Sequence, residues 1–210
     1  MMEDYTDIGA TTPEALEISR KSRRIISEMI GDGTLEDRIK QRCVIATGDP
    51  SVAEILRFHD RPGEAGLLAL KMGAPIFVDI KMVQAGVLKK GHTSLIEAFI
   101  GQGDAIAVAQ GITRTSAGVM ALQEKLSGSI IVIGNAPSAL LTLCDLIESG
   151  KVLPRLVIGA AVGFVNAAES KERLREIDVP SISTAGTRGG TPIAVAAINE
   201  IINAYARAMH

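Results

Sequence analysis

Two arginines and three glycine-rich turns are the residues of this sequence best suited to binding an anion. The turns span residues 134–137, 159–164 and 186–191, and each follows a short apolar run typical of a strand. In open α/β sheets ligands bind beyond the carboxyl ends of the strands, where helix N-termini offer free N–H groups. The guanidinium groups of Arg114 and Arg188 are suited to bidentate binding of carboxylates. This combination predicts a crevice for a ligand with several acid groups, unless the glycines serve only to make tight turns.

The histidines and cysteines do not form a metal-binding or nucleophilic motif. His59, His92 and His210 never share a helical face. Cys43 and Cys144 are too few and too distant for a thiolate cluster or a disulfide scaffold. A G-x-S-x-G nucleophile elbow is also missing from the sequence. We therefore expect no bound metal and neither metal-dependent nor serine hydrolysis.

Two fragments resemble nucleotide-binding loops without completing either motif. Residues 159–163 keep only the last two glycines of the dinucleotide fingerprint. Gly86, Gly91, His92 and Thr93 have P-loop spacing, but a histidine stands where the phosphate-binding lysine belongs. We expect no nucleotide cofactor. The alternative, a nucleotide-dependent enzyme on a doubly wound sheet, would show itself as a rise in melting temperature with ATP or NAD.

The composition is that of an ordered chain without features for nucleic acids or membranes. The 210 residues are 47% hydrophobic and 22% charged, with a formal net charge of −2, no tryptophan, two tyrosines and four phenylalanines. So few aromatic rings and so little positive charge are a poor match for nucleic acid. The basic cluster 20–24 is interpreted as a solvated helix face, with a pocket for a polyanionic small molecule as the alternative. The longest uncharged run, between Lys125 and Asp145, is interrupted by Gly134 and Pro137, so no membrane span is predicted.

The start of the chain lacks the charge pattern of a secretory signal. Glu3, Asp4 and Asp7 occupy the region where a signal peptide carries positive charge, and no apolar stretch follows them. Two cysteines without a disulfide pattern suit a reducing compartment. We therefore expect a cytoplasmic protein.

Short apolar runs alternate with helical patterns from residue 75 onward, which favours a parallel sheet. The predicted strands are 76–78, 106–108, 130–133, 156–158 and 181–183, and the predicted helices are about 113–125, 137–149, 166–177 and 191–209. Before the sheet, Thr12 and Pro13 begin a helix to about Ile30, and a second helix follows Thr34. We expect an α/β fold with a mostly parallel sheet, helices on both faces and N-terminal helices packed on the α/β body. Residues 1–210 are expected to form one domain.

Several segments, taken in order, resemble the precorrin-8X methylmutase family. The matching residues are 134–140, 154–159, 162–165, 168–172 and the turn 186–191. Further matches are Ser22, residues 47–49, Asp79 with residues 82–83 and Gly86, and residues 113–114. The resemblance runs from about Ser22 to Asn199, which is nearly the whole chain.

The resemblance implies an isomerase of cobalamin biosynthesis. Such an enzyme moves a methyl group between adjacent ring carbons of precorrin-8X or cobalt-precorrin-8, needs no redox cofactor, and completes a corrin ring. The implied substrate is an acidic tetrapyrrole whose carboxylate arms suit the arginine-lined crevice, and the family's homodimers imply a site near the subunit interface. The site residues implied are Arg42 and Arg114 for catalysis, and Ser22, Thr47, Asp79, Asn135, Lys171, Arg188 and Thr191 for substrate binding.

Simpler structural roles exist for several of these residues. Arg114 would equally suit a solvated helix start, and Asn135 would brace its own turn by side-chain hydrogen bonding. Lys171 would pair with Glu169 or Glu172 in solvent, where ion pairs contribute little. The sequence by itself does not separate these roles from substrate binding.

One segment departs from the family at a position that matters for proton transfer. The family pattern is Arg-x-x-His-Thr-Thr-Gly-Asp, whereas residues 42–49 read Arg-Cys-Val-Ile-Ala-Thr-Gly-Asp, with Ile45 at the histidine position. Isoleucine has no acid–base chemistry. One hypothesis is a methylmutase that relies on positioning and on the electrostatics of Arg42 or Arg114, or on His59 or His92 as the proton source. The other is a relative that binds a tetrapyrrole without isomerising it.

The last glycine turn also differs from the family in its cation. The family's Gly-Arg-Lys-Gly-Gly-Ser reads Gly-Thr-Arg-Gly-Gly-Thr over residues 186–191 of this chain. One positive side chain, Arg188, is kept, and its type is changed from lysine to arginine.

Overall fold

A six-stranded, mostly parallel sheet lies at the centre of the computed structural model, which describes Asp7 and residues 9–209. The strands are β1 (Leu56–His59), β2 (Ile76–Val78), β3 (Ile96–Ala98), β4 (Ile130–Ile133), β5 (Leu156–Gly159) and β6 (Ser181–Thr184). Their order is β1-β6-β5-β4-β2-β3, and β1 is antiparallel to β6 while the other pairs are parallel. Glu3, Asp4 and His210 lie outside the described residues.

Helices connect and cover these strands. Those of the described residues are α1 (Pro13–Ile30), α2 (Leu35–Thr47), α3 (Val52–Ile55), α4 (Pro62–Lys71), α5 (Lys81–Gly86), α6 (Asp104–Gln110), α7 (Arg114–Ala121), α8 (Gln123–Leu126), α9 (Pro137–Glu148), α10 (Ala167–Glu176) and α11 (Thr191–Ala208). The α/β class, the mostly parallel sheet and four of the five predicted strands are thereby confirmed.

Two apolar cores lie on opposite faces of the sheet. Successive residues of a strand point to opposite faces, so Ile130 and Val132 pack into one core while Ile131 and Ile133 pack into the other. The first core receives α2, α4 and α11, and the second receives α7, α9 and α10. Full burial of each such side chain stabilises the fold by about 1.5–3 kcal/mol. Helices on both faces are therefore confirmed.

The N-terminal helices begin where their capping residues predict. Thr12 accepts a hydrogen bond from the Ala15 N–H at the start of α1. Thr34 and Asp37 form a capping box at the start of α2, with each side chain accepting from the other residue's backbone N–H. Helix α1 packs on α2, and α2 packs on α11 against the sheet. This arrangement confirms N-terminal helices packed on the α/β body.

The prediction of a strand over residues 106–108 is wrong, because these residues lie within α6. The helix begins after Gly103 and ends at Gly111, whose left-handed conformation is typical of a helix C-terminus. Ala107 is buried while Val108 is 86% exposed, so the β-branched residue that suggested a strand faces outward. Local β propensity was overridden by the helix boundaries.

Two strands and one helix break were missed by the sequence patterns. Strand β3 is only three residues long and contains Glu97, and β1 contains Arg57 and His59, so neither forms an apolar run. The helix predicted over residues 113–125 is broken at Leu122, which lies between the end of α7 at Ala121 and the start of α8 at Gln123. Both missed strands lie at the edges of the sheet, where a strand is exposed to solvent and its sequence is less apolar.

Candidate functional site

The three glycine turns meet where the carboxyl ends of β4, β5 and β6 lie side by side, because these strands are parallel neighbours. We call this end of the sheet the turn edge. The Gly190 N–H donates to the Ala160 carbonyl at 2.7 Å, and the Gly163 N–H donates to the Thr187 carbonyl at 3.1 Å. A side chain at Gly189 would place its Cβ only 2.4 Å from the Ala160 oxygen. Glycine is therefore required where the second and third turns pack together.

A cavity of about 260 Å³ lies beside these turns and is here called the turn cavity. It is lined by Thr47, Asp49, Val52, Val162, Arg188, Gly189 and Ile193. The Arg188 guanidinium is 3.1 Å from Asp49 and donates to the Ser51 hydroxyl at 3.0 Å. About half of the Arg188 and Asp49 side chains is exposed, so this ion pair is open to exchange with a ligand carboxylate.

Asp49 is itself held in place by Ser51. The Ser51 backbone N–H donates to Asp49 Oδ1 at 2.9 Å, and the Ser51 hydroxyl donates to the same oxygen at 2.6 Å. These two hydrogen bonds, with the charge of Arg188, lower the pKa of the Asp49 carboxyl. The cavity therefore has a fixed negative group that orients the Arg188 guanidinium.

A second cavity of about 250 Å³, here called the helix cavity, lies between the facing sides of α1 and α2. It is lined by Ser22, Ile25, Ile26, Val44, Ile45, Gly48 and Pro50. Thr47 and Asp49 of the turn cavity alternate in sequence with Gly48 and Pro50 of this one, so the same chain segment separates the two. Ile45 is 39% exposed here, and the lining carries the Ser22 hydroxyl but no ionisable side chain.

Asp79 holds the first glycine turn rather than facing solvent. Its buried carboxylate accepts hydrogen bonds from the backbone N–H groups of Gly134, Asn135 and Ala136 at 3.2, 2.7 and 2.8 Å. Burial raises the pKa of this carboxyl, against the opposing effect of the N–H groups. The Asn135 side chain is exposed above the turn. Asp79 therefore determines where Asn135 is presented.

Lys171 lies beneath the third glycine turn, and the interpretation that it pairs with Glu169 or Glu172 in solvent is wrong. Its side chain is fully buried, and its Nζ donates to the Thr184 hydroxyl at 3.0 Å and to the Arg188 carbonyl at 2.7 Å. The sequence offered no signal for this burial, since Lys171 stands in a charged helical segment.

Arg42 lies in a buried ion cluster that joins the long helices. Its guanidinium is 3.3 Å from Asp7 and 3.5 Å from Glu200. Glu200 also pairs with Arg23 at 2.6 Å and with Arg207 at 3.2 Å. We call these five residues the helix cluster. Arg42 is absent from the lining of both cavities, and its charge is directed at the protein's own carboxylates.

Arg114 and Thr191 each stand at the first position of a helix near the turns. Arg114 makes a bidentate pair with Asp104, with both N–O distances 2.9 Å, and more than half of its side chain is exposed. The Thr113 and Ser138 hydroxyls are 2.8 Å apart, so the start of α7 lies beside the start of α9. The structure thus places Arg114 at the turn edge of the sheet but outside both cavity linings.

The described residues lack several features that other chemistries need. No group of three or more His, Cys, Asp and Glu side chains within Asp7 and residues 9–209 is arranged to hold a metal ion. Among the same residues, no helix is both long and apolar enough to cross a bilayer. Cys43 and Cys144 are free and buried, and desolvation raises the pKa of each thiol to about 12.

Comparison with known proteins identifies the fold and the family together. A family model described as precorrin-8X methylmutase matches residues 17–204. The chain belongs to the precorrin-8X methylmutase family. It is 43% identical over 211 residues to the cobalt-precorrin-8 methylmutase of Methanocaldococcus jannaschii, covering 95% of this chain and 98% of that protein. It is 39% identical over 200 residues to that of Methanothermobacter thermautotrophicus, covering 93% and 96%.

A solved methylmutase structure has the same architecture. The precorrin-8X methyl mutase of Thermus thermophilus superimposes with a TM-score of 0.84 at 35% identity, covering 91% of this chain and 97% of that one. The family resemblance inferred from the sequence is confirmed by these matches. The names of the relatives favour a methylmutase over a protein that only binds tetrapyrroles.

The two described histidines lie far from Ile45, the position where the family pattern has its histidine. His59 ends β1 and pairs with Ser181, the first residue of β6, so it lies at the opposite edge of the sheet from the turns. His92 precedes β3 at that same opposite edge, where its ring is bonded to the Leu88 carbonyl at 2.7 Å and accepts from the Ser94 N–H at 3.1 Å. Within one chain, neither ring is therefore placed to act as the proton donor that a histidine at residue 45 would be.

Three residues of this region were not singled out by the sequence analysis. Asp49 and Ser51 orient Arg188, and Thr184 links Lys171 to the third turn. Asp49 belongs to the Thr-Gly-Asp part of the family pattern, which was a usable signal. Ser51 and Thr184 are small hydroxyl residues without any distinguishing spacing, so only the tertiary structure identifies their roles.

Proposed function

We propose that this protein is a methylmutase that moves a methyl group between adjacent ring carbons of cobalt-precorrin-8 or precorrin-8X in cobalamin biosynthesis. The family match carries the reaction class. The observation that supports the location of the substrate site is that the turn cavity and the helix cavity are adjacent. Arg188 is half exposed in the turn cavity, and Ser22 and Ile45 line the apolar helix cavity. The two cavities share one short segment as their common border.

This adjacency suits a ring with acidic arms. A tetrapyrrole combines a broad apolar ring with carboxylates at its periphery, and it is larger than either cavity. Ile25, Ile26 and Ile45 provide apolar surface for the ring. Arg188 provides hydrogen-bond donors for a carboxylate in the turn cavity, on the other side of the border segment. Thr47, whose hydroxyl donates to the Cys43 carbonyl at 2.9 Å, forms part of the wall beside it. In the proposed complex Ser22 and Asn135 make further polar contacts, and Thr191 begins the helix behind the third turn.

Methyl migration within one substrate molecule depends first on holding the reacting conformation. The protein contributes here by restricting the bound substrate to the conformation from which the methyl group migrates. Ile45 supplies no proton, so we assign the remaining contribution to the electrostatics of a cation near the ring. Arg114 is the better candidate than Arg42, because Arg42 is paired with two partly or fully buried carboxylates while the single Asp104 pair of Arg114 is exposed.

We also propose a homodimer with the site near the subunit interface, in the cytoplasm. Phe164 is 94% exposed and Val165 is 75% exposed at the turn edge, next to Val162 of the turn cavity. Adjacent exposed apolar side chains of this size are characteristic of an interaction surface. Arg114 is exposed at the same edge, so a second subunit docked there would bring its Arg114 near a turn cavity that is not its own.

The test is the visible spectrum of the purified protein mixed with cobalt-precorrin-8 and with precorrin-8X, followed over time. We expect conversion to the corrin chromophore by the unaltered protein and a rate increase of about 10²–10⁴-fold in Ile45→His, because that is what a positioned general acid contributes. Ile45→Val is the matched control and should leave the rate within a fewfold. A bound but unchanged spectrum, with turnover only in Ile45→His, would establish the binding-only alternative instead.

A further inference from the structure

A buried ammonium group at the end of β6 lacks a carboxylate to balance its charge. Lys171 is fully buried, and within the part of the chain that the structure describes its Nζ forms no ion pair with a carboxylate. Lysine is almost never fully buried without such a partner, because removing an ammonium ion from water is costly. A buried charge in this condition therefore indicates a role beyond packing.

Both hydrogen bonds of this ammonium serve the third glycine turn. The Nζ donates to the Thr184 hydroxyl at 3.0 Å and directly to the Arg188 carbonyl at 2.7 Å. The Thr184 hydroxyl in turn donates to the same carbonyl at 2.7 Å. The backbone of Arg188 is thus held from beneath by two donors, one from α10 and one from β6.

Holding this carbonyl fixes the origin of the Arg188 side chain. The neighbouring residues of the turn are packed against β5, where Gly190 donates to the Ala160 carbonyl and Gly189 lies close to the same backbone. From this fixed backbone the Arg188 guanidinium extends to Asp49 at the turn cavity. Arg188 is therefore the residue that links the Lys171 ammonium to the turn cavity.

We propose that Lys171 is a positioning residue, whose ammonium group holds the turn 186–190 by the Arg188 carbonyl and thereby presents the Arg188 guanidinium to an acidic ligand in the turn cavity. Lys171 does not line the cavity and acts through Arg188. The acidic ligand is identified by the proposed function, whereas the holding of the turn is independent of it.

The charges around Lys171 make its role depend on pH. Burial, with a further contribution from the charge of Arg175 on the same helix, lowers the pKa of Lys171 to about 8. The Lys171 Nζ donates to the Thr184 hydroxyl of β6 and to the Arg188 carbonyl of the third turn. The Arg188 guanidinium is itself paired with Asp49. Both causes of the shift, burial and the Arg175 charge, disfavour the ammonium form. Deprotonation leaves an amine that still donates, but the hydrogen bonds become neutral and about half as strong.

Stability and ligand binding should then respond to pH in opposite directions. The pKa of Lys171 is about 8 in the folded protein against 10.5 for an unperturbed lysine. Between these values the unfolded state binds more protons, so the contribution of this group to the free energy of unfolding rises with pH. Over the same pH range the hydrogen bonds from Lys171 to the turn weaken, so ligand affinity should fall. A lysine with a structural role alone would show the same rise in stability, but ligand affinity would not depend on pH over this range.

The experiment compares Lys171→Met, which keeps the length but removes the donors, with Lys171→Gln, which keeps donors without charge. Lys151→Met, at an exposed lysine, is the control. Backbone hydrogen exchange of residues 186–190, measured without substrate, should accelerate about tenfold in Lys171→Met, since one lost charge-assisted hydrogen bond is sufficient for that factor. Substrate affinity, measured by visible absorption, should fall about tenfold, and Arg188→Met should then add little in a double-mutant cycle.

Three outcomes would overturn the proposal. They are an unchanged exchange rate in folded Lys171→Met, additive effects of the Lys171 and Arg188 substitutions, and affinity that stays constant from pH 7 to 10 in the unaltered protein. Should Lys171→Met fail to fold, Lys171→Gln and the pH titration of the unaltered protein still decide the matter. Absence of substrate binding by the unaltered protein would refute the proposed function, while the exchange rates would still decide whether Lys171 holds the turn.

Discussion

The buried charges of Asp7 and residues 9–209 lie in two regions, and they have different partners in each. In the helix cluster the buried Glu200 is surrounded by Arg23, Arg42 and Arg207, so charge is matched by charge. At the turn edge, Asp79 and Lys171 are bonded to backbone N–H groups, a hydroxyl and a carbonyl. The first arrangement joins helices α1, α2 and α11. The second holds the backbone of loops, which is what a site built from turns requires.

The difference predicts that the helix cluster governs folding more strongly than binding. Glu200→Gln would leave three arginines around a neutral amide, and breaking a buried pair in this way costs about 3–5 kcal/mol. Urea unfolding measures the loss. Glu64→Gln is the matched control, because its pair with Arg61 is largely exposed and contributes at most about 1 kcal/mol.

Substrate binding separates the two regions in the same variant. Neither Glu200 nor its arginines line the turn cavity or the helix cavity, so folded Glu200→Gln should bind substrate with an affinity within a fewfold of the unaltered protein. A large loss of affinity in the folded variant, or an unfolding free energy equal to that of the Glu64→Gln control, would contradict the distinction between the regions.

Asp79→Asn should produce a smaller loss of stability and a larger loss of binding. The asparagine side chain has one acceptor oxygen, so at least one of the three N–H groups of the first turn would be left unpaired, at about 1–3 kcal/mol. The displaced turn would carry Asn135 with it and weaken substrate binding. Urea unfolding and substrate titration of the same preparation measure the two effects.

The pH dependence of Asp79 provides an independent check. Burial raises the pKa of this carboxyl, so the folded state holds the proton more tightly than the unfolded state. Its contribution to the free energy of unfolding is therefore largest below the ordinary pKa of 3.8 and is lost as pH rises through the raised pKa. Asp79→Asn should remove this decline. An identical pH profile in the two proteins would refute the sign of the shift.

The sequence patterns predicted the strands and turns around the site better than the roles of its individual side chains. Residues 130–133 and 156–158 are continuous apolar runs because they are buried on both faces, and glycines must follow them where the turns pack closely. The convergence of the three turns then follows from parallel strand order. Edge strands β1 and β3 are short and carry charged residues, so they gave no such pattern.

The roles of individual site residues could not be predicted, because they depend on side-chain direction. Asp79 and Lys171 looked like ligand contacts, yet both point into the protein and hold turns. Arg42 was expected to act on substrate, whereas the structure pairs its guanidinium with Asp7 and Glu200, which lie 35 and 158 residues away along the chain. Contacts across such separations leave no local periodicity in the sequence.

Loss of the ion pair between Arg188 and Asp49 should change the free energy of unfolding less than loss of the buried contacts in either region. Both side chains are about half exposed, so Asp49→Asn should lower the free energy of unfolding by less than about 1 kcal/mol, and high salt should reduce even that difference. Substrate affinity should nevertheless rise at low salt, because a ligand carboxylate would no longer compete with Asp49 for the guanidinium. Ser51→Ala, which loosens Asp49 without removing its charge, is the matched control. Lower affinity in Asp49→Asn would show instead that Asp49 is needed to orient Arg188, and would make the turn cavity as dependent on paired charge as the helix cluster.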